Sequence, residues 1–427
     1  MPLSQHELTS KPARRPIHIR MVYEVRAAAN KGLGLFAKQT IQRGTRILAE
    51  RPLIALQPGQ RAIDILNHAK RLDRTGKEAL LALSWHPGAG IQKLGRWSEA
   101  FIWLLKDRLW NRRRDAASNN SVSKSIGLTS GMSSRFIRDL EESYRVLSVF
   151  RSNSFNLAST STNAFLVSTS NQTSDVSATD PKMADPKPPP YTLALFPTIA
   201  RINHSCIPNA QANYHPSHGT FNIHATTDIP NGNEVSINYL PEYGQLRDQR
   251  VGKLQEGYGF VCGCPACDLS AERGKRGEKN RAAMQDQIRA LKRVLKKSSI
   301  ETMDAGYGAD GMPEVVSVTY DEPGGNPPDE IDGAERHDIV RGCEREVLEA
   351  MLEMYQAEGI VGREVASMYY HLARLQWSSG ELEGAIRTTE IGLRLDQDCL
   401  GSDHPEYHRA IASFEGMKRG DSDGIHA

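Results

Sequence analysis

The chain has 427 residues, with 53 Lys and Arg against 51 Asp and Glu and a net charge of +2. This length exceeds the roughly 250–300 residues that one hydrophobic core usually serves, so two or three domains are expected. The balanced charge gives no general argument for nucleic-acid binding, and six cysteines are too sparse for a disulfide-dense secreted fold.

Residues 17–27, IHIRMVYEVRA, alternate as a strand does, and the Gly-punctuated run 30–56 predicts further short strands. From 61 to 150 the period changes. The segments AIDILNHAKRL, EALLALSW, EAFIWLLKDRLW and RFIRDLEESYRVLSVF carry apolar residues at helical spacing. Two polar stretches, 115–134 and much of 158–190, bury too little apolar surface to offset the cost of ordering and predict loops or insertions. Strand-like segments return over 191–240, and a helix is expected at about 244–256. The run 280–299 reads as one amphipathic helix, and a Gly-, Pro- and acid-rich linker fills roughly 303–334.

The remainder predicts helices. Within it, residues 368–397 resemble a tetratricopeptide repeat, with Tyr370, Leu372, Ala373, Gly380, Ala385 and Ile386 at its small and apolar positions. A plain helical hairpin is the alternative, because one copy is not an array. The local basic runs 111–115 and 273–279 read as solvated faces. No run of 18 or more apolar residues occurs, and the first twenty residues lack an apolar segment of signal-peptide type, so an intracellular protein without a membrane span is expected.

Three cysteines, Cys262, Cys264 and Cys267, crowd into CGCPAC. Thiolates suit zinc, and a structural zinc site takes four ligands in tetrahedral array, so three local cysteines leave one position to fill. Cys206, in RINHSCIPNA, is the candidate for it. Cys343 and Cys399 fall on predicted helices and read as small core residues. Three reduced thiols beside a loop remain the plainer alternative.

The segments NKGLGLFA, RINHSCIPNA, EVSINYL and GYGFVCGCPAC, in this order, resemble the SET-domain protein lysine methyltransferases. The helical C-terminus is similar to the SMYD-like branch. The resemblance covers roughly 20–56 and 190–268, with a weaker match through the helical tail. It implies an α+β protein: a SET-type β-fold of short strands with a helical insertion, a post-SET zinc site and a helical TPR-like tail. The expected division is an N-terminal tail over 1–19, SET parts over 20–56 and 191–243, an insertion over 57–190 and a zinc-binding segment over 244–270. A helix over 271–302, the linker over 303–334 and the tail domain over 335–420 complete it.

The resemblance also implies an activity, the transfer of methyl groups from S-adenosylmethionine to lysines of a histone or non-histone protein, in the nucleus or the cytoplasm. By the same route Cys206, Cys262, Cys264 and Cys267 would hold one structural zinc. Lys31, Gly32, Leu33 and Gly34 would line the cofactor site, joined by Asn203, His204 and Phe260, the last stacking on the adenine. Tyr258 would wall the lysine channel, and Tyr239, also near the cofactor, would be the catalytic tyrosine. One more cofactor-contacting asparagine is offered twice, as Asn153 in FRSNSFNL and as Asn163 in STNAF, with Asn153 preferred.

The pattern departs from the SMYD branch in one respect. Residues 57–205 contain no cysteine, so the MYND zinc finger of that branch is missing. A silent SET scaffold that binds protein partners through its helical tail is the second reading; retention of Tyr239, Asn203, His204 and the glycines favours the enzyme.

Overall fold

The run Gly-Leu-Gly-Leu-Phe-Ala at 32–37 is apolar almost throughout, and its last four residues are buried. They sit at the centre of the fold because strands close on them from both sides. The computed structural model describes residues 21–29, 31–88, 90–118, 134–157, 191–240, 244–297, 306–307, 313–314 and 333–420.

Strands β1 (Tyr23–Ala28), β2 (Gly32–Ala37), β3 (Arg46–Glu50) and β4 (Ile54–Leu56) come first, followed by helices α1 (Ala62–Arg71), α2 (Arg74–Leu81), α3 (Gly90–Ser118) and α4 (Ser134–Asn153). Then come β5 (Ser154–Asn156), β6 (Leu193–Leu195), β7 (Asn203–His204), β8 (Ala210–His215), β9 (Thr220–Ala225) and β10 (Glu234–Ile237). Helices α5 (Arg247–Tyr258) and α6 (Glu272–Lys297) lead past the two-residue strands β11 (Gly306–Tyr307) and β12 (Pro313–Glu314). The tail is α7 (Gly333–Glu358), α8 (Arg363–Ser378), α9 (Leu382–Leu400) and α10 (Pro405–Arg419).

The strands make three small sheets ordered β1-β2-β10-β7, β3-β9-β8 and β4-β6-β5, with β11 and β12 paired apart from them. In the first sheet β10 runs antiparallel to β2 and parallel to β7, so Ser236 faces Asn203 and Ile237 faces His204. The inner faces share a core of Leu35, Ile223, Val235, Phe196 and Phe221, the two phenylalanine rings stacked 4.9 Å apart. Burial of such side chains stabilises by about 1.5–3 kcal/mol each. This mixture of helices with short strands is the expected α+β class.

The expected helical insertion is present as α1 to α4, which pack Leu66, Leu104, Tyr144 and Phe150 against β4 and β6. Two boundaries differ from expectation. The helix expected through Trp85 stops at Leu81; His86 precedes Pro87, a position that disfavours the helical region, and 84–88 runs irregularly. Conversely α3 continues to Ser118, into a stretch expected to be loop. Residues 119–133 of the expected polar stretch 115–134, residues 158–190, the N-terminal tail and most of the 303–334 linker lie outside the described residues.

Helix α6 begins at Glu272, within the expected 271–302 helix, and takes in the amphipathic run from 280 as well as the basic run 273–279. That run is not merely a solvated face: Arg273 donates to the Glu358 carbonyl at 3.0 Å, tying α6 to the end of α7. Helices α6, α7 and α8 share a core of Met284, Met351, Leu352, Tyr355 and Ala366. Helix α9 lies against β8 and β9, where Asn213 donates to the Cys399 carbonyl at 2.9 Å. Cys399 is buried, as expected of a core residue; the Cys343 side chain lies outside the described residues. Among those residues no helix is long and apolar enough to cross a membrane.

Candidate active site and cysteine cluster

The parallel pairing of β7 with β10 places Asn203 beside β2. Its side-chain Nδ2 donates to the Leu33 carbonyl at 3.2 Å and to Glu234 Oε1 at 2.7 Å. The other Glu234 oxygen receives the Lys31 ammonium at 2.9 Å. One carboxylate thus joins the first and last residues of a three-part seat. Gly34 permits it: a Cβ there would fall 2.8 Å from Glu234 Oε1 and 2.9 Å from Asn203 Nδ2. Gly32 opens β2 at φ +78°, which side chains rarely adopt.

Asn153, the last residue of α4, donates to the Ser84 carbonyl at 2.8 Å and to the Val149 carbonyl at 2.7 Å. Ser84 in turn lies next to Gly32, and His86 packs against Gly259. The irregular segment after α2 therefore brings Asn153, Gly32 and Gly259 to one side of the sheet. Asn163 lies outside the described residues.

Tyr239 follows β10. Its hydroxyl donates to the Ile202 carbonyl at 2.6 Å, and its ring centroid lies 4.9 Å from that of Tyr258. Phe260 meets Tyr239 edge-on at 6.4 Å. Burial, then the neighbouring Tyr258 and Glu234, push the Tyr239 phenol well above its ordinary value, so it stays protonated at neutral pH. Burial pushes Tyr258 up as well.

His204 is placed differently from Asn203. Its ring is turned inward and buried, with Nδ1 accepting the Tyr239 backbone N–H at 3.0 Å and Nε2 3.2 Å from Cys206 Sγ. Burial pushes this imidazole down to about 4, so it is neutral at pH 7. Because Nδ1 accepts, the proton sits on Nε2 and is directed at the sulfur. With both ring nitrogens engaged, only the His204 backbone remains for a cofactor.

Cys206 Sγ is 3.6 Å from Cys267 Sγ and 4.0 Å from Cys262 Sγ, and the four sulfurs, Cys264 included, all lie within 4.8 Å of one another. These separations are far too long for a disulfide, at about 2.05 Å. They match the roughly 3.8 Å between sulfurs around a tetrahedral zinc with bonds of about 2.3 Å. The residues fit such an ion in number, chemistry and spacing.

Two residues here carry no motif signal as strong as the cysteines. Arg250 on α5 is fully buried, donating to the Ala266 carbonyl at 3.1 Å and approaching Cys267 Sγ at 3.5 Å. Its positive charge offsets negative charge gathered on the sulfurs, and nothing in the sequence around it announces that. Glu234 takes a half-exposed position in the alternating strand EVSI, so nothing in the sequence announces its pairing with Lys31 and Asn203.

Residues 32–240 match the family model of the SET domain. The human protein-lysine N-trimethyltransferase SMYD5 is 36% identical over 80 residues, 18% of this chain and 19% of that protein. Human protein-lysine N-methyltransferase SMYD4 is 36% identical over 80 residues, 18% of this chain and 10% of that protein. Histone-lysine N-methyltransferase SET5 of Meyerozyma guilliermondii is 32% identical over 111 residues, 25% of this chain and 23% of that protein. The chain thus spans no more than about a fifth to a quarter of these relatives. Among solved structures, the SET domain of LSMT bound to lysine and AdoHcy covers 96% of this chain and 86% of its own, at 12% identity and a TM-score of 0.33. Residues 32–240 thus resemble the SET domain, and the relatives this chain matches include SMYD-type protein-lysine methyltransferases.

Proposed function

We propose that the protein is an S-adenosylmethionine-dependent protein-lysine N-methyltransferase with Tyr239 as its catalytic residue. The observation that carries this reading is the position of Tyr239, a half-buried phenol whose proton is committed to the Ile202 carbonyl and whose ring stands beside Tyr258 and Phe260. The residues that would hold the cofactor are Lys31, Gly32, Leu33 and Gly34 on one side, Asn153 and Asn203 with the His204 backbone on another, and the Phe260 ring. When bound, the cofactor supplies a methyl group on a positively charged sulfur, open to in-line displacement by an amine.

A lysine side chain has an ordinary pKa of about 10.4 and must lose its proton before it can attack. With a lysine seated between them, Tyr258 and Phe260 would shield its amine from water, and desolvation favours the neutral amine. Since the Tyr239 O–H donates to Ile202, its oxygen lone pairs are free to accept an N–H of that amine. Tyr239 therefore orients the nucleophile, and its raised pKa makes it neither a strong acid nor a base for the step. Positioning of this kind contributes heavily to a displacement rate.

The cysteine cluster is read as one structural zinc site. It would hold the segment carrying Tyr258 and Phe260 against β7. The α8–α9 hairpin is read as TPR-like, a surface for a protein partner. The substrate class is a protein with an accessible lysine, nuclear or cytoplasmic.

The test is transfer of a labelled methyl group to nuclear and cytosolic extracts by wild type and Tyr239→Phe, with AdoHcy binding measured by calorimetry on both. Labelling by wild type, lost in a variant that still binds AdoHcy, is expected. Absence of labelling in every extract would point instead to a silent scaffold.

A further inference from the structure

Away from the cysteines, a second group of ligating side chains lies where the β8–β9 hairpin meets the turn between α9 and α10. His215 ends β8, His218 lies in the hairpin turn, and Asp403 lies between Leu400 and Pro405. One ligand atom from each falls within 4.8 Å of the others. We propose that His215, His218 and Asp403 form a second metal site, taking a divalent first-row transition ion such as zinc, that clasps the hairpin to the helical tail.

The donor set is chemically apt, since imidazole nitrogen and carboxylate oxygen together suit zinc, nickel and copper. His215 Nε2 lies 3.7 Å from Asp403 Oδ2. Two such donors on a tetrahedral zinc stand about 3.4 Å apart, so little movement is needed along this edge. The His218 ring stacks on His215 at 3.9 Å with an interplanar angle of 8°. Being exposed on a turn, it is the ligand that swings to complete the site.

His215 itself points to a missing ligand. It is 1% exposed, its Nδ1 has no hydrogen-bond partner among the described residues, and its Nε2 has only a long 3.3 Å contact to the Asp403 carbonyl. Nε2 is the nitrogen on the Asp403 side, and an ion there would replace its long contact to the carbonyl, while Nδ1 lies on the opposite edge of the ring. The carboxylate is already oriented for the task. Arg46 on β3 pairs with Asp403 Oδ1, leaving Oδ2 on the His215 side, the arrangement in which an outer residue aims a metal ligand. The Arg46 charge also opposes a cation, so this site binds more weakly than the four cysteines.

The hairpin and turn meet without the ion. Asn213 donates to the Cys399 carbonyl at 2.9 Å, and His404 Nε2 pairs with the Tyr214 carbonyl at 3.0 Å. A metal would reinforce an existing contact, so losing it should leave the fold intact.

Titration of Ni2+ into the full chain as purified tests the proposal, with His218→Ala, Asp403→Asn and, as a control on an exposed histidine, His408→Ala. Wild type and His408→Ala should bind one saturable equivalent and gain thermal stability from it. His218→Ala, whose removed ring is exposed, should keep the metal-free Tm yet bind Ni2+ more than about tenfold more weakly, the lower range of loss for even an outer-shell change. No saturable equivalent in wild type, or equal binding by His218→Ala, would overturn the site.

Discussion

The backbone N–H of Tyr239 donates to the Nδ1 of His204 at 3.0 Å. This bond connects the candidate catalytic residue to the cysteine cluster, since the opposite ring nitrogen lies 3.2 Å from Cys206 Sγ. In His204→Ala a buried N–H would lose its acceptor, at a cost of about 1–3 kcal/mol. A lower Tm together with reduced turnover and looser metal retention is expected. Turnover unchanged from wild type would show that the link does not position Tyr239.

Cys206→Ser tests the cluster from its isolated member. A serine hydroxyl is a poor replacement for a thiolate on zinc. Metal analysis of chelator-washed protein should find one zinc held by the cysteines of wild type and little there in the variant, with AdoHcy binding weakened alongside. Equal zinc in both proteins would return Cys206 to an ordinary core role.

Gly34→Ala separates cofactor seating from stability. The added methyl meets the movable ends of Glu234 and Asn203 most closely, with the Ala28 Cβ next at 3.2 Å, so strain should cost about 1 kcal/mol, the low end for an overpacked site. Their displacement breaks the seat that Asn203, Glu234 and Lys31 make. AdoHcy affinity measured by calorimetry should fall about tenfold, equivalent to about 1.4 kcal/mol, while Tm moves little. A large Tm loss with unchanged affinity would count against this division.

Acid should loosen the contact between sheet and tail. Burial, then the nearby Arg46, holds the His224 imidazole at about 4, against an ordinary value of about 6.5. The unfolded chain then binds a proton between about pH 6.5 and 4 that the folded chain refuses. Stability from this group is therefore full above about pH 6.5 and falls as pH drops towards 4, by up to a few kcal/mol. Arg46 Nε lies 3.3 Å from His224 Nε2, so a protonated ring would face a guanidinium. Thermal melts from pH 7 to 5 should show a steeper loss in wild type than in His224→Gln.

Much of the candidate site could be proposed from sequence because the chemistry it would serve needs particular residue types at short spacing. The spacing of Cys262, Cys264 and Cys267 suggests a candidate metal site, and Gly32 and Gly34 allow a close approach to the backbone. Cys206 could be proposed as their partner only through its motif, because nothing local says which distant strand will lie beside CGCPAC. The pairing of β7 with β10, and the turn after α5, decide that.

The sequence by itself determined the alternation of strands and helices, the helical insertion and the three-cysteine turn, since period and spacing are local properties. Tertiary structure alone decided which way each side chain of the Asn203–His204 pair faces. Neighbouring residues on a strand point to opposite faces, so Asn203 reaches Leu33 and Glu234 while His204 turns to Cys206. It also decided that Glu234 joins Lys31 to Asn203 and that Arg250 lies buried beside Cys267. Those contacts join residues far apart in the chain, and charge at a single position carries no record of its partner.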